Sequence, residues 1–204
     1  MGVASTRSAE NGICSTPASG GKLISVADGP EFIGEREVHD DTIHLADPDP
    51  MWPVLFDRQA ERIRAALGAD ARRVEHVGST SVAGLAAKPI IDIVLTVPDS
   101  ADEDAYVPPL EANGFVLRVR ERGWFEHRFL RGTDIATNLH VFTEGCSEVD
   151  RMVAFRDHLR VDAEDRQLYE ASKRELAAHR WHIVQDYADA KTDVVATILE
   201  RARA

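Results

Sequence analysis

Residues 75–92 read Glu75-His76-Val77-Gly78-Ser79-Thr80-Ser81-Val82-Ala83-Gly84-Leu85-Ala86-Ala87-Lys88-Pro89-Ile90-Ile91-Asp92. Arg73 to Val77 predicts a short strand, and Gly78 to Gly84 a turn of small residues. Glycine allows a ligand to approach the backbone closely. Serine and threonine cap helical turns, whose free N–H groups favour an anion. Lys88 is placed to neutralise a phosphate. Pro89 to Val97 is an apolar run broken only by Asp92, which predicts a buried strand holding one carboxylate. Such a group is costly unless it is paired or metal-bound, so Asp92 is a candidate Mg²⁺ ligand. The plainer reading is a capped turn and a hydrogen-bonded core aspartate. The stretch contains neither G-x-x-x-x-G-K-[ST] nor G-x-S-x-G, which excludes a P-loop and a nucleophile elbow.

Working outward, Phe56, Ala60, Ile63 and Leu67 lie on one helical face closed by Gly68. Asp102 to Asn113 predicts a second helix ended by Gly114. Phe115–Val119, Trp124–Leu130 and Ile135–Phe142 predict three antiparallel strands. Three helical faces follow: Met152, Phe155 and Leu159; Tyr169, Lys173 and Leu176; and Ile183, Tyr187, Ala190, Val194 and Ile198. Ahead of this body, residues 1–22 are poor in apolar residues and predict a disordered tail. In 23–50, an extension, Val38, Ile43 and Leu45 suit an edge strand. The expected division continues with a core over 51–145 and a helical extension over 146–204.

The 204 residues carry 35 acids against 24 bases, a net charge of −11, which disfavours nucleic acid as a partner. Nine acids and three bases precede residue 51, so −6 of the −11 lies ahead of the core, which leaves room for a basic pocket. Two cysteines, no secretory leader and no long apolar run point to a cytoplasmic chain with no membrane partner. The oligomeric state is left open.

Other residues are candidates by position. His140, mid-strand, suits a ligand or base, or equally a satisfied core histidine. Glu75 and His76 alternate, and Glu75 is assigned to the pocket. Arg118, Arg120 and Arg122 alternate along one strand and Arg128 follows on the next; Arg156 and Arg160 share a helix face. Arg128, Arg156 and Lys173 are candidates for binding an acidic substrate, with solvent exposure as the plainer reading.

The run from Glu75 to Ile93 resembles the signature of the GrpB family. Asp49-Pro50-x-Trp52-Pro53, Asn138-Leu139-His140-Val141, Phe155-Arg156-Asp157-x-Leu159-Arg160, Tyr169 with Lys173, and Tyr187 with Lys191 are similar to further parts of it, over about residues 45–200. That family is similar to the nucleotidyltransferase superfamily and also occurs fused to dephospho-CoA kinase, where a role in the kinase's folding has been suggested. The resemblance implies an α/β (α+β) fold: a mixed, mostly antiparallel sheet flanked by helices, with a helical C-terminal extension. It implies that Gly78, Ser79, Thr80 and Ser81 hold nucleotide phosphates and that Asp92 holds Mg²⁺. The superfamily's second acid position is Val94 here, and the later strand offers His140 in place of an acid. The expected function is binding of a nucleotide or phosphorylated small molecule, with nucleotidyl transfer to a small acceptor. Asp92, His140 and Glu75 are the catalytic candidates, and Asp92 and His140 the metal ligands. The alternatives are a non-catalytic ligand-binding or folding-assistant module, and a metal-independent enzyme acting on a small acidic molecule through His140 and Glu75.

Overall fold

A computed structural model describes residues 29–34, 41–182 and 184–203. The proposed tail, Val38 and Ile183 lie outside these residues. Strand β1 (Glu31–Phe32) precedes β2 (Asp41–Thr42), α1 (Met51–Leu67), β3 (Arg73–Val77), β4 (Ile91–Val97), α2 (Glu103–Glu111), β5 (Phe115–Glu121), β6 (His127–Gly132) and β7 (Thr137–Thr143). Helices α3 (Ser147–Val161) and α4 (Ala163–Ala177), strand β8 (Arg180–Trp181), and helices α5 (Val184–Asp189) and α6 (Thr192–Ala202) complete the chain. The main sheet has the order β1-β5-β6-β7-β4-β3. Only β4 and β7 run parallel. This is the mixed, mostly antiparallel sheet with flanking helices that the sequence predicts.

Register decides which side chains share a face, because residues directly opposite each other project to the same side. Ile91, Ile93, Leu95 and Val97 of β4 join Leu139 and Val141 of β7 in one core. Trp52 and Ile63 of α1 and Tyr106 and Leu110 of α2 close it. Each of these large apolar side chains contributes roughly 1.5–3 kcal/mol by leaving water. On the opposite face, Asp92 pairs with Asn138 and Val94 with His140. Val77, Val94 and Phe142 pack there against Val149 and Met152 of α3, covering one end of that face.

Three expectations are corrected. Ile43 and Leu45 do not form an edge strand of the main sheet; they pack with Ala177 and Tyr187, and Glu31–Phe32 makes the edge beside β5. The third predicted helical face is divided between α5 and α6, with Ala190 and Lys191 between them. Strand β6 begins at His127 because Trp124–Glu126 are used in the hairpin turn, where the His127 N–H donates to the Trp124 carbonyl.

Candidate functional site

The turn after β3 is held from behind and from both ends. Gly78 adopts φ 67°, a left-handed conformation open to glycine, and a methyl group added there would fall 2.3 Å from Asp92 Oδ2. The missing side chain thus lets the Asp92 carboxylate lie against the turn. His76 stacks on Phe56 of α1 and hydrogen-bonds Thr80 Oγ1 at 3.0 Å, and that hydroxyl donates to the Ile90 carbonyl. Ser81 Oγ donates to the Gly78 carbonyl at 2.6 Å. From α3, Arg160 donates to the Ser81 carbonyl and Arg156 to the His76 carbonyl. From α4, Lys173 Nζ donates to the Ala86 carbonyl. Val82 and Leu85 are packed among Leu159, Tyr169, Val195 and Ile198, so the C-terminal helices fix the far end of the turn.

Beside the patch that α3 covers, Asp92, Asn138 and His140 on this sheet face are only partly buried, and this is the cleft side of the sheet. Asp92 accepts a hydrogen bond of 2.7 Å from Asn138 Nδ2. Burial pushes its carboxyl above the usual carboxylate range, against the opposing pull of Asn138, Lys191, Lys88 and Arg131. Burial likewise holds Lys191 below the usual lysine range, with Asp92 and Asp189 opposing. Tyr169 hydrogen-bonds Ser79 and feels the charge of Asp92; burial raises its phenol to about 12. Lys173 lies 5.0 Å from the Tyr169 ring centroid and Lys191 lies 4.6 Å from that of Tyr187. Burial, with Lys191 nearby, lowers the Lys173 ammonium to about 7.

Of the residues singled out from the sequence, Gly78, Ser79, Lys88, Asp92 and His140 lie on the cleft side, whereas Lys173 is buried with its ammonium on the Ala86 carbonyl. Thr80 and Ser81 are in the turn, but their hydroxyls point into it as internal hydrogen bonds. Glu75 is not directed at a ligand: its carboxylate lies 2.7 Å from Arg156, which with Arg73 holds it below the usual range against burial. Arg156 is consequently a brace between α3 and β3. Arg128 is buried on Glu103 and Glu126, and with Arg120 and Arg122 it lines a separate depression of about 580 Å³. In each case a nearby acid that sequence spacing does not reveal has taken the cation.

His140 accompanies Asp92 on the cleft face of the sheet, one pleat along. Burial, assisted by His127 and Arg131, lowers its imidazole to about 3, so the ring is neutral. Its Nδ1 lies 3.1 Å from His127 Nε2, and His127 Nδ1 lies 2.6 Å from Glu121 Oε2. Glu121 and His127 escaped sequence reasoning, because neither periodicity nor a motif distinguishes them. Tyr187 and Lys191 were legible only through the resemblance, and Arg131 escaped sequence reasoning as well.

Oxygen donors for a divalent ion come together beside the turn. Asn138 Oδ1 is buried with no hydrogen-bond partner beside the Asp92 carboxylate. Val94, at the superfamily's second acid position, is buried with Val77 and Phe142 and offers no ligand to a second ion. The imidazole of His140 is also a poor match to Mg²⁺, which takes oxygen ligands.

The family model described as GrpB protein matches residues 42–201. A UPF0157 protein of Halalkalibacterium halodurans is 55% identical over 93% of this chain and 95% of its own length. A UPF0157 protein of Streptomyces coelicolor is 48% identical over 85% of this chain and 90% of its own. A dephospho-CoA kinase of Mycolicibacterium paratuberculosis is 32% identical over 70% of this chain, which is 41% of that protein. The crystal structure of the conserved protein GrpB from Enterococcus faecalis superposes with a TM-score of 0.68 at 27% identity, over 78% of this chain and 96% of that one. Among the described residues no helix is long and apolar enough to cross a membrane.

Proposed function

The chain belongs to the GrpB family, and from that premise we propose that its cleft binds a small anionic molecule, a nucleotide or another phosphorylated metabolite, as a nucleotidyltransferase-like site. The observation that carries the reading is the convergence of Lys88, Arg131 and Lys191 on one carboxylate, Asp92, against the Gly78–Ser79 turn. Basic side chains gathered beside a glycine-serine turn suit an anionic ligand, and phosphate is the common case. Ser79 and the adjoining turn backbone orient the phosphate, Tyr169 fixes Ser79, and Lys173 holds the far side of the turn at Ala86. If Mg²⁺ accompanies the ligand, Asp92 and Asn138 Oδ1 are the residues to hold it, and the ion would supply charge neutralisation at the phosphate. In transfer, the acceptor's hydroxyl or amine attacks the α-phosphorus, pyrophosphate leaves, and the acceptor's proton passes to a base.

A non-catalytic binding module is the second reading, favoured by the apolar Val94 at the superfamily's second acid position. Thermal melting of the full chain with ATP, GTP and dephospho-CoA, each with and without Mg²⁺, tests the first reading. A ligand at a hundred times its Kd contributes about 2.7 kcal/mol, or roughly 5–10 °C for a chain of this size. At least one of the three is expected to give that shift, and Lys191→Ala is expected to lose it. No shift with any phosphorylated compound overturns the reading, and a shift without pyrophosphate release favours the binding module.

A further inference from the structure

We propose that Glu121 and His127 are positioning residues that hold His140 as a hydrogen-bond acceptor facing the cleft, its proton on Nδ1 and its Nε2 bare. The inference deepens the cleft reading above and rests on it for the identity of the group that meets Nε2. The argument starts from donor and acceptor direction. An ionised carboxylate only accepts hydrogen bonds. With Glu121 Oε2 at 2.6 Å, His127 carries its proton on Nδ1. The ring is fully buried, which disfavours a second, charging proton, so His127 Nε2 is a lone pair. That lone pair faces His140 Nδ1 at 3.1 Å, so His140 must donate from Nδ1. The rings lie at 20° with centroids 5.2 Å apart, well beyond the nitrogen separation, and therefore meet edge to edge. The remaining nitrogen, Nε2 of His140, has no hydrogen-bond partner among the described residues.

The surroundings show that this chain of groups is built rather than incidental. Trp124 stands edge-on to the His127 ring at 5.0 Å and Phe142 lies along it at 4.7 Å, so neither competes for the ring nitrogens. Trp124 is placed by a hairpin turn in which Phe125 and Glu126 both have positive φ, 54° and 50°. Non-glycine residues adopt that region only against steric strain. Arg128 holds the turn closed by donating to the Glu126 carbonyl at 2.9 Å. Strain that is maintained in this way marks a geometry that the fold preserves.

The consequence is a constraint on the ligand. Asp92 and His140 are diagonal neighbours on adjacent strands, with Cα atoms about 7–8 Å apart. A molecule whose phosphate lies by Asp92 and Lys191 meets His140 Nε2 with a hydroxyl or amine. In nucleotidyl transfer that N–H or O–H is the acceptor's own, and its hydrogen bond to Nε2 orients the acceptor toward phosphorus.

The experiment is long-range imidazole ¹⁵N NMR on the full chain, histidine-labelled and free of ligand. His140 is expected in one tautomer, protonated on Nδ1. In Glu121→Gln the side chain keeps its shape, but its amide both donates and accepts, so both directions along the chain become available. The His140 nitrogens are then expected to shift toward averaged positions. An Nε2-protonated His140 in the wild type overturns the inference, and so does an unchanged His140 spectrum in Glu121→Gln. Should that variant not fold, the wild-type spectrum decides alone. Neither measurement contains a nucleotide, so failure of the ligand reading and failure of this inference are separately visible.

Discussion

The two faces of strand β4 meet opposite environments. Ile91, Ile93, Leu95 and Val97 point toward α1 and α2 and are sealed in the main apolar core. Between them on the same seven residues, Asp92, Val94 and Thr96 point the other way. There Val94 is covered by α3, while Asp92 is left with Asn138, a lysine from the end of the chain and a turn stripped of a side chain. The strand is one rigid object, so a well-packed back face fixes the chemistry on its front face. This is how a site gains precision from residues that never touch a ligand.

Four substitutions can break or sharpen that contrast. Leu95→Ala removes a fully buried side chain from the sealed face and is expected to cost about 2–5 kcal/mol, read by urea unfolding. If the loss is under about 1 kcal/mol, the back face is not the anchor described here. His76 belongs to the sealed side through Phe56, and burial lowers it from 6.5 to about 4. Its folded-state value lies below its unfolded one, so its contribution is present above pH 6.5 and is lost as pH falls through about 4. The shift corresponds to roughly 3 kcal/mol. His76→Gln should flatten the acid limb of stability against pH by that order, and an unaltered limb would place the imidazole in water.

Gly78→Ala tests the junction of the two faces. Left-handed strain and the 2.3 Å approach to Asp92 Oδ2 predict a loss of about 1–3 kcal/mol and a displaced carboxylate. Nucleotide-dependent melting should then fall by more than stability alone explains. Asp92→Asn has the smallest expected effect on folding. The Asp92 pKa is raised in the folded state, so the wild type is most stable below the ordinary carboxylate range and loses that advantage as pH rises. Relative to wild type, the variant should gain stability with rising pH while ligand-dependent melting weakens. A variant that loses ground as pH rises would mean that Asp92 is a stabilising ion-pair partner instead.

Much of the sealed face was legible along the chain. The apolar run of β4, the helical spacing of α1 and the glycine-punctuated turn are local patterns, and the elements appeared at or near the expected positions. The meeting of Gly78 with Asp92 was legible because the two lie within fifteen residues of one another in a strand-turn-strand unit. Thr80 was misread because a 3₁₀ turn rotates successive side chains by about a third of a circle, sending its hydroxyl behind the turn. Arg128 and Arg156 were misread because a cation's role depends on which acid reaches it, and Glu103 and Glu75 reach them from other elements. The division of the last predicted helical face at Lys191 is equally beyond a periodicity argument, and it is what lets that lysine face Asp92.

By itself the sequence determined the kind of fold, the site's turn and the strand that carries Asp92, because hydrophobic period and turn chemistry act over a few residues. Only the tertiary structure decided which face of the sheet stays open, which cations converge on Asp92, and that Glu121, His127 and His140 form one line of hydrogen bonds. Those outcomes depend on strand register and on helices returning from the far end of the chain. Charge and hydrogen-bond direction act over a few ångströms in space, regardless of how many residues separate the groups.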